Sequence, residues 1–285
     1  MPELAEVERM RREWDPGLGG RVREVFLHAE KRIFRGIEPG DLAAALTGRS
    51  LRSSEAHGKQ MMFRFSGPRS SSSCYLGVHL GMTGALRVEA KNYAPERHDH
   101  LVLRQSTRSL VLSDPRLFGR VTFGDGTPPE FWRLRPPAVT DPEFTMPRVA
   151  EFLGRHRGAP IKALLLDQSM FPGIGNWMAD EILWRAEIHP RRAGGDLEVA
   201  EVRRVWKETR YVAREALRRI AERGVDPPKS WLFPHRWEDG GRCPRTGAGL
   251  VRETIGGRTT CWSPGRQPEL GPTSVRRRAL APPRR

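Results

Sequence analysis

The feature that most constrains the fold is a change of hydrophobic rhythm partway along the chain. From about Arg21 to Gly124, short apolar runs such as "VREVFLH", "QMMFRF", "YLGVHLGMTGALRV", "HLVLRQ", "SLVLSD" and "GRVTFG" alternate with turn clusters. Runs of this length, bounded by Gly, Ser, Asp and Pro, predict the strands of a β-sandwich or barrel. "SGPRSSSS" reads as a loop tip between two of them. Residues 125–148 are proline-rich and read as a linker. Beyond them the apolar residues fall at helical spacing.

The second half therefore predicts helices. Val149 to Arg155 forms a short one, "PIKALLLDQSMF" a second with Pro160 at its first position, and "NWMADEILWRAEI" a third. Leu197 to Arg223 predicts a long amphipathic helix with Val202, Val205, Trp206, Val212, Leu217 and Ile220 on one face. Gly224 would cap it. Residues 230–267 return to short strands with Gly-rich turns. At the front, Leu4, Val7 and Met10 predict a helix over residues 1–13. The expected fold class is α+β, divided into an N-terminal β-sandwich with its helix (1–135), a helical domain (136–225), a β-hairpin module (226–267) and a disordered basic tail (268–285).

Charge narrows the function. Forty-nine Lys+Arg against 34 Asp+Glu give +15, an excess that a preference for Arg over Lys does not explain. A polyanionic partner, nucleic acid, explains it. No run of eighteen apolar residues exists, so no helical membrane span is expected. Glu3, Glu6 and Glu8 exclude a secretory signal at the start. Cys74, Cys243 and Cys261 are too few and scattered for a disulfide framework, which favours a reducing, cytoplasmic compartment.

Two stretches carry candidate chemistry. In "MPELAEVE" a small second residue lets the initiator be removed, leaving Pro2 as the chain's only secondary amine, either an ordinary frayed end or a nucleophile. In "FPGIGNWMADEILWRA" the glycines Gly173 and Gly175 make a tight turn before a helix starting at Asn176. Such a turn brings free N–H groups and a helix dipole towards a partner, and binds phosphate as readily as it caps a plain helical hairpin. Lys162 just upstream, with the net charge, favours DNA backbone.

"PIKALLLDQSMFPGIGNWMADEILWRAEIHP" closely resembles the helix–two-turn–helix segment of the formamidopyrimidine-DNA glycosylase / endonuclease VIII family. "MPELAEVE" resembles its catalytic N-terminal helix and "HGK" at 57–59 its lysine hairpin. "HLGMTG" (79–84), "HDHLVL" (98–103) and "DPRLFG" (114–119) fall in the family's order, so the resemblance covers residues 1 to about 267. It implies a bifunctional base-excision glycosylase and abasic-site lyase acting on damaged or mispaired bases in double-stranded DNA. The enzyme would be a nucleoid-associated monomer with no cofactor, holding DNA in a basic cleft between its domains.

The implied chemistry is physically coherent. Pro2 would attack C1′ of the damaged nucleotide. An α-amine with a pKa near ~8 is partly unprotonated at neutral pH, unlike a lysine near ~10.4. The resulting iminium carries a fixed positive charge, draws electrons from the sugar and promotes elimination of the 3′ phosphate. Glu3 would give and take protons, Glu6 would position the amine, and Lys59 would contact phosphate and ring oxygen. Met82, Arg116 and Phe118 match the trio that fills the void left by a flipped base. Asn176, Gly173, Gly175 and Lys162 would face the DNA backbone, Arg258 would clamp a phosphate, and His98 joins the DNA-facing set. His98 and His100 share a strand face and tempt a metal reading, but two ligands without a third read better as structural hydrogen-bonders.

Two departures from the family pattern matter. Its four zinc-ligand positions fall here on Cys243, Thr246, Ser263 and Arg266, a set without four metal donors, so no metal is expected and Trp262, Leu250, Val251 and Ile255 would pack the hairpin instead. Only Gly224 to Arg242 precede Cys243, which shortens the loop that caps an oxidised purine in part of the family. Two rival readings therefore stay open: an abasic-site lyase without base selection, and a non-catalytic damaged-DNA-binding protein.

Overall fold

The computed structural model describes residues 1–67 and 72–269. The basic tail, from Leu270 on, lies outside the described residues, as does part of the "SGPRSSSS" loop. Contacts group the chain into two compact units that do not follow chain order. One comprises Met1–Thr145, Leu165–Gly175 and Arg210–Asp226; the other comprises Met146–Leu164, Asn176–Thr209 and the chain from Pro227 onward.

In the first unit, eight strands form two antiparallel four-stranded sheets, ordered β1-β6-β7-β5 and β2-β3-β4-β8. The strands are β1 (Glu24–Leu27), β2 (Ser50–His57), β3 (Gln60–Ser66), β4 (Ser73–His79), β5 (Ala85–Ala90), β6 (Asp99–Arg104), β7 (Arg108–Ser113) and β8 (Arg120–Asp125). Alternation supplies the sandwich core: Met61, Phe63 and Phe65 of β3 meet Leu101 and Leu103 of β6 in one buried cluster. Each such side chain contributes roughly 1.5–3 kcal/mol by leaving water. Helix α1 (Leu4–Arg12) buries Leu4, Ala5 and Val7. Just past its end, Trp14 is fully buried and its indole N–H donates to Val111 O.

Four expectations are corrected. The stretch 125–148 is no plain linker, because it contains α3 (Glu130–Arg133) and buries Trp132, Val139 and Phe144. β2 and helix α2 (Pro39–Leu46) escaped the sequence reading; β2 is polar and becomes a strand by pairing with β3 from Ser50↔Ser66 to His57↔Gln60. The helix expected over "PIKALLLDQSMF" stops at Leu164. Beyond it the Asp167 carboxylate accepts from Ser169 N and Oγ, a side-chain turn that competes with helix. His98 lies ahead of β6, and a bulge between Asp99 and Leu101 breaks the shared strand face with His100.

In the second unit, α4 (Met146–Arg155) and the single turn α5 (Ile161–Leu164) precede α6 (Asn176–Ala186), most of whose residues are buried. α7 (Val199–Ala216) starts in this unit and passes into the first. It continues as a π-helical turn over Leu217–Glu222, and Gly224 closes it at φ +66°. The hairpin β9 (Val251–Ile255) and β10 (Arg258–Trp262) turns through Gly256 and Gly257, both at positive φ. No helix among the described residues is long and apolar enough to cross a membrane.

Candidate active site

Three segments of the first unit converge on Glu3. Glu3 caps α1 in a reciprocal capping box: its carboxylate accepts from the Glu6 backbone, and the Glu6 carboxylate accepts from Glu3 N at 3.2 Å. Glu3 is 3% exposed, and its Oε2 also accepts from Gly175 N at 2.9 Å. Leu4 N donates to Gly173 O at 3.1 Å. Lys59, on the hairpin between β2 and β3, donates from Nζ to Ile174 O at 2.8 Å. Pro2 is half-buried immediately ahead of Glu3. A buried carboxylate, a lysine ammonium and the residue that follows Met1 thus lie around one glycine turn.

That turn has a different job from the one its sequence suggests. Gly173 N donates to Gln168 Oε1 at 3.0 Å and Gly175 N donates to Glu3, so neither amide is left for a phosphate. The glycines are there because the start of α1 comes too close for side chains. A Cβ on Gly175 would lie 2.3 Å from Glu3 Cδ, and one on Gly173 would lie 2.5 Å from Leu4 Cβ. The expected DNA-backbone role of Gly173 and Gly175 is corrected on this ground.

Lys162 is corrected as well. It is fully buried, with Nζ donating to Asp180 Oδ1 at 2.5 Å and to Asn176 O at 2.8 Å. An ammonium enclosed in this way does not reach a phosphate. Asp180, also buried, takes the Arg236 guanidinium at 2.6 Å and Cys261 N at 3.0 Å on its Oδ2. Asn176, at the start of α6, donates from Nδ2 to Thr259 O at 2.7 Å, which ties the helix to the hairpin. Arg258 stands exposed beside the Gly256–Gly257 turn.

The remaining candidates lie on two neighbouring turns of the first unit. Met82 is 43% exposed and Phe118 42%, high values for side chains of their size. The Arg116 guanidinium lies 4.8 Å from the Phe118 ring centre. Leu117 between them is held at φ +56°, a left-handed conformation costing a non-glycine residue roughly 1–2 kcal/mol. Asp114 fixes this turn by accepting from Gly119 N at 2.7 Å and Arg116 N at 3.3 Å. Sequence reasoning missed Asp114, although the Asp-Pro step opening "DPRLFG" is a turn signal. His100 Nε2 lies 3.0 Å from Asp114 O, which only accepts, so Nε2 carries a proton there, and His100 Nδ1 lies 3.3 Å from His28 Nδ1. His98 contributes its carbonyl oxygen, which accepts from Asp114 N and Ser113 Oγ.

The family's zinc positions do not fit a metal here. Cys243 is the sole thiol among them, and its Sγ accepts from Trp184 Nε1 at 3.4 Å. Arg266 stacks over Trp184 and pairs with Glu187 at 2.8 Å. Burial would raise the Cys243 thiol, but the Ser263 and Thr246 hydroxyls, Trp184 and the Arg245 N–H outweigh it and bring the pKa down to about 6. Thr, Ser and Arg supply no closed tetrahedron. The sulfur is held by hydrogen-bond donors where a metal would need further ligands.

A β-sandwich with a carboxylate-capped terminal helix, in one chain with a helix–two-turn–helix segment and a β-hairpin, defines a DNA glycosylase of base-excision repair. Residues 1–121 match the formamidopyrimidine-DNA glycosylase N-terminal domain and residues 136–225 the H2TH domain of the same enzymes. The formamidopyrimidine-DNA glycosylase of Alkalilimnicola ehrlichii is 34% identical across 94% of this chain and 100% of its own length. That of Halorhodospira halophila is 37% identical across 76% of this chain and 79% of its own. Lactococcus lactis Fpg, solved with DNA containing N7-benzyl-Fapy-dG, superposes with a TM-score of 0.82 at 26% identity, covering 94% of this chain and all of the other. The chain belongs to the formamidopyrimidine-DNA glycosylase family.

Proposed function

We propose that this protein removes damaged or mispaired bases from double-stranded DNA and cleaves the abasic site through an iminium formed by Pro2 once Met1 has been removed. The observation that carries the reading is the burial of Glu3 against Gly175 N, directly after Pro2, with Lys59 Nζ held on Ile174 O of the same turn. Pro2 attacks C1′ and Glu3 protonates the ribose ring oxygen as the C1′–O4′ bond opens; the base then leaves C1′ with the proline N–H proton as the nitrogen becomes an iminium, and Glu3 shuttles the proton lost in elimination. Glu6 fixes the backbone at Glu3. Lys59 offers positive charge to phosphate, and Arg258 and Asn176 serve the flanking backbone. Met82, Arg116 and Phe118 fill the vacated stack. Solved relatives bound to abasic-site and lesion-containing DNA support DNA as the partner. The protein acts as a monomer, associated with the nucleoid in the cytoplasm.

One observation favours weak base selection. The segment that would cap a flipped base is packed down instead: Trp231 and Leu232 are buried, and Arg236 is locked on Asp180. An abasic-site lyase with little preference for the base is therefore the second reading.

Borohydride trapping on an abasic duplex tests both. A covalent band lost in Pro2→Gly and reduced in Glu3→Gln is expected. Absence of a band from the wild-type protein, with tight binding intact, would turn the reading into non-catalytic DNA binding. A panel of lesion duplexes separates glycosylase from lyase.

A further inference from the structure

A second cavity lies in the sandwich unit on the outer face of the β2-β3-β4-β8 sheet. Register aligns Gln60, His79 and Arg120 in one cross-strand row, and Met62, Gly77 and Thr122 in the next. Between them, Met61, Val78 and Val121 point the other way, into the core. Gly77 lets the Phe131 ring lie against the sheet, since a Cβ there would meet Thr122 Oγ1 at 2.2 Å and that ring at 2.8 Å. Phe131 of α3 and the exposed Arg35, Arg120 and Glu130 are among the residues that line it. The space measures about 610 Å³, within the usual range for a ligand site.

Its chemistry is that of a nucleotide site. An aromatic ring offers a stacking face to any base. Two guanidinium groups in the lining suit a phosphodiester. Gln60 and Glu130 present amide and carboxylate to the edge of a base, and Thr122 Oγ1 is buried with no partner among the described residues. None of these groups is used in the chemistry assigned to Pro2, Glu3 and Lys59. The cavity also borders Phe118, two residues before Arg120. A duplex opened at Phe118 therefore leaves an unstacked nucleotide next to it.

We propose that this cavity is a second nucleotide subsite, which takes one unstacked nucleotide of the opened duplex, with its base on Phe131 and its phosphate on Arg35 and Arg120. The inference rests on the wedge role given above to Phe118, and not on Pro2 chemistry. Two sources supply the same ligand chemistry: the nucleotide opposite the lesion, and its neighbour in the damaged strand.

The test uses the full chain with duplexes holding an uncleavable abasic analogue and 2-aminopurine at one or the other of those places. Fluorescence should rise severalfold at one of them on binding, naming the source, and Phe131→Ala should remove the rise and weaken binding roughly tenfold. The exposed pair Arg35→Gln with Arg120→Gln, which leaves the packing untouched, should lower the salt slope of log K by roughly two. No fluorescence change at either place, or an unchanged salt slope in the arginine variant, overturns the proposal. Trapping on a natural abasic site, run in parallel, reports on Pro2 alone, so either reading can fail without the other.

Discussion

Thr83 Oγ1 donates to Asp114 Oδ1 over 3.0 Å, so two separate turns of the sandwich share one buried carboxylate. Thr83 follows Met82 directly, and Asp114 holds the turn bearing Arg116 and Phe118 through Arg116 N and Gly119 N. Gly81 completes the junction, because a Cβ there would lie 2.4 Å from the Phe118 carbonyl carbon. The three proposed void-filling side chains are therefore one mechanical piece, assembled from parts of the chain some thirty residues apart.

Thr83→Val tests that coupling. Losing one hydrogen bond at a buried carboxylate costs about 1–3 kcal/mol. Cleavage of an abasic site in duplex DNA is expected to fall roughly tenfold, while cleavage in a single strand, which has no stack to fill, stays at the wild-type rate. Equal losses on both substrates would show that the bond merely supports the fold.

Gly175→Ala places a methyl group against the Glu3 carboxylate. The carboxylate must leave its cap, and the trapping rate should drop on the order of 100-fold, the size of a general acid–base contribution. DNA affinity, measured by titration with an abasic analogue, should change little.

Asp180→Ala strands two buried cations, Lys162 and Arg236, and frees Cys261 N. Breaking a buried ion cluster from one side costs about 3–5 kcal/mol. Denaturant unfolding followed by tryptophan fluorescence should show a loss of that order.

Cys243 should titrate near pH 6, as one thiolate seen by ultraviolet absorbance and missing in Cys243→Ser, since burial pushes Cys261 up to about 12 and raises Cys74. A thiol lowered in the folded state stabilises most above the unfolded value near ~8.5, and the gain is lost as pH falls towards 6. Through Cys243 the unit is therefore easier to melt at pH 6 than at pH 8.5, against the opposite pull of Glu181, which burial pushes up to about 7, and Cys243→Ser should raise stability at pH 6 relative to pH 8.5.

Much of this protein was legible in its sequence. The strand rhythm gave most of the sandwich and helical spacing gave α1, α4, α6 and α7, because side-chain period is a local property of strand and helix. The terminal Pro-Glu pair, the lysine hairpin and the glycine turn were visible as residue types at recognisable spacings.

Other features were decided by partners distant in sequence. "SLRSSEAH" is a strand because β3 lies beside it. Gly173 and Gly175 read as a phosphate loop, and became a seat for Glu3 and Leu4 only when α1 closed on them. Lys162 read as a free cation until Asp180 and Asn176 enclosed it. The sequence determined which groups carry charge and which backbone can turn tightly. Only the tertiary structure decided which of those groups are spent on one another, since desolvation and hydrogen-bond pairing depend on neighbours that sequence spacing does not specify.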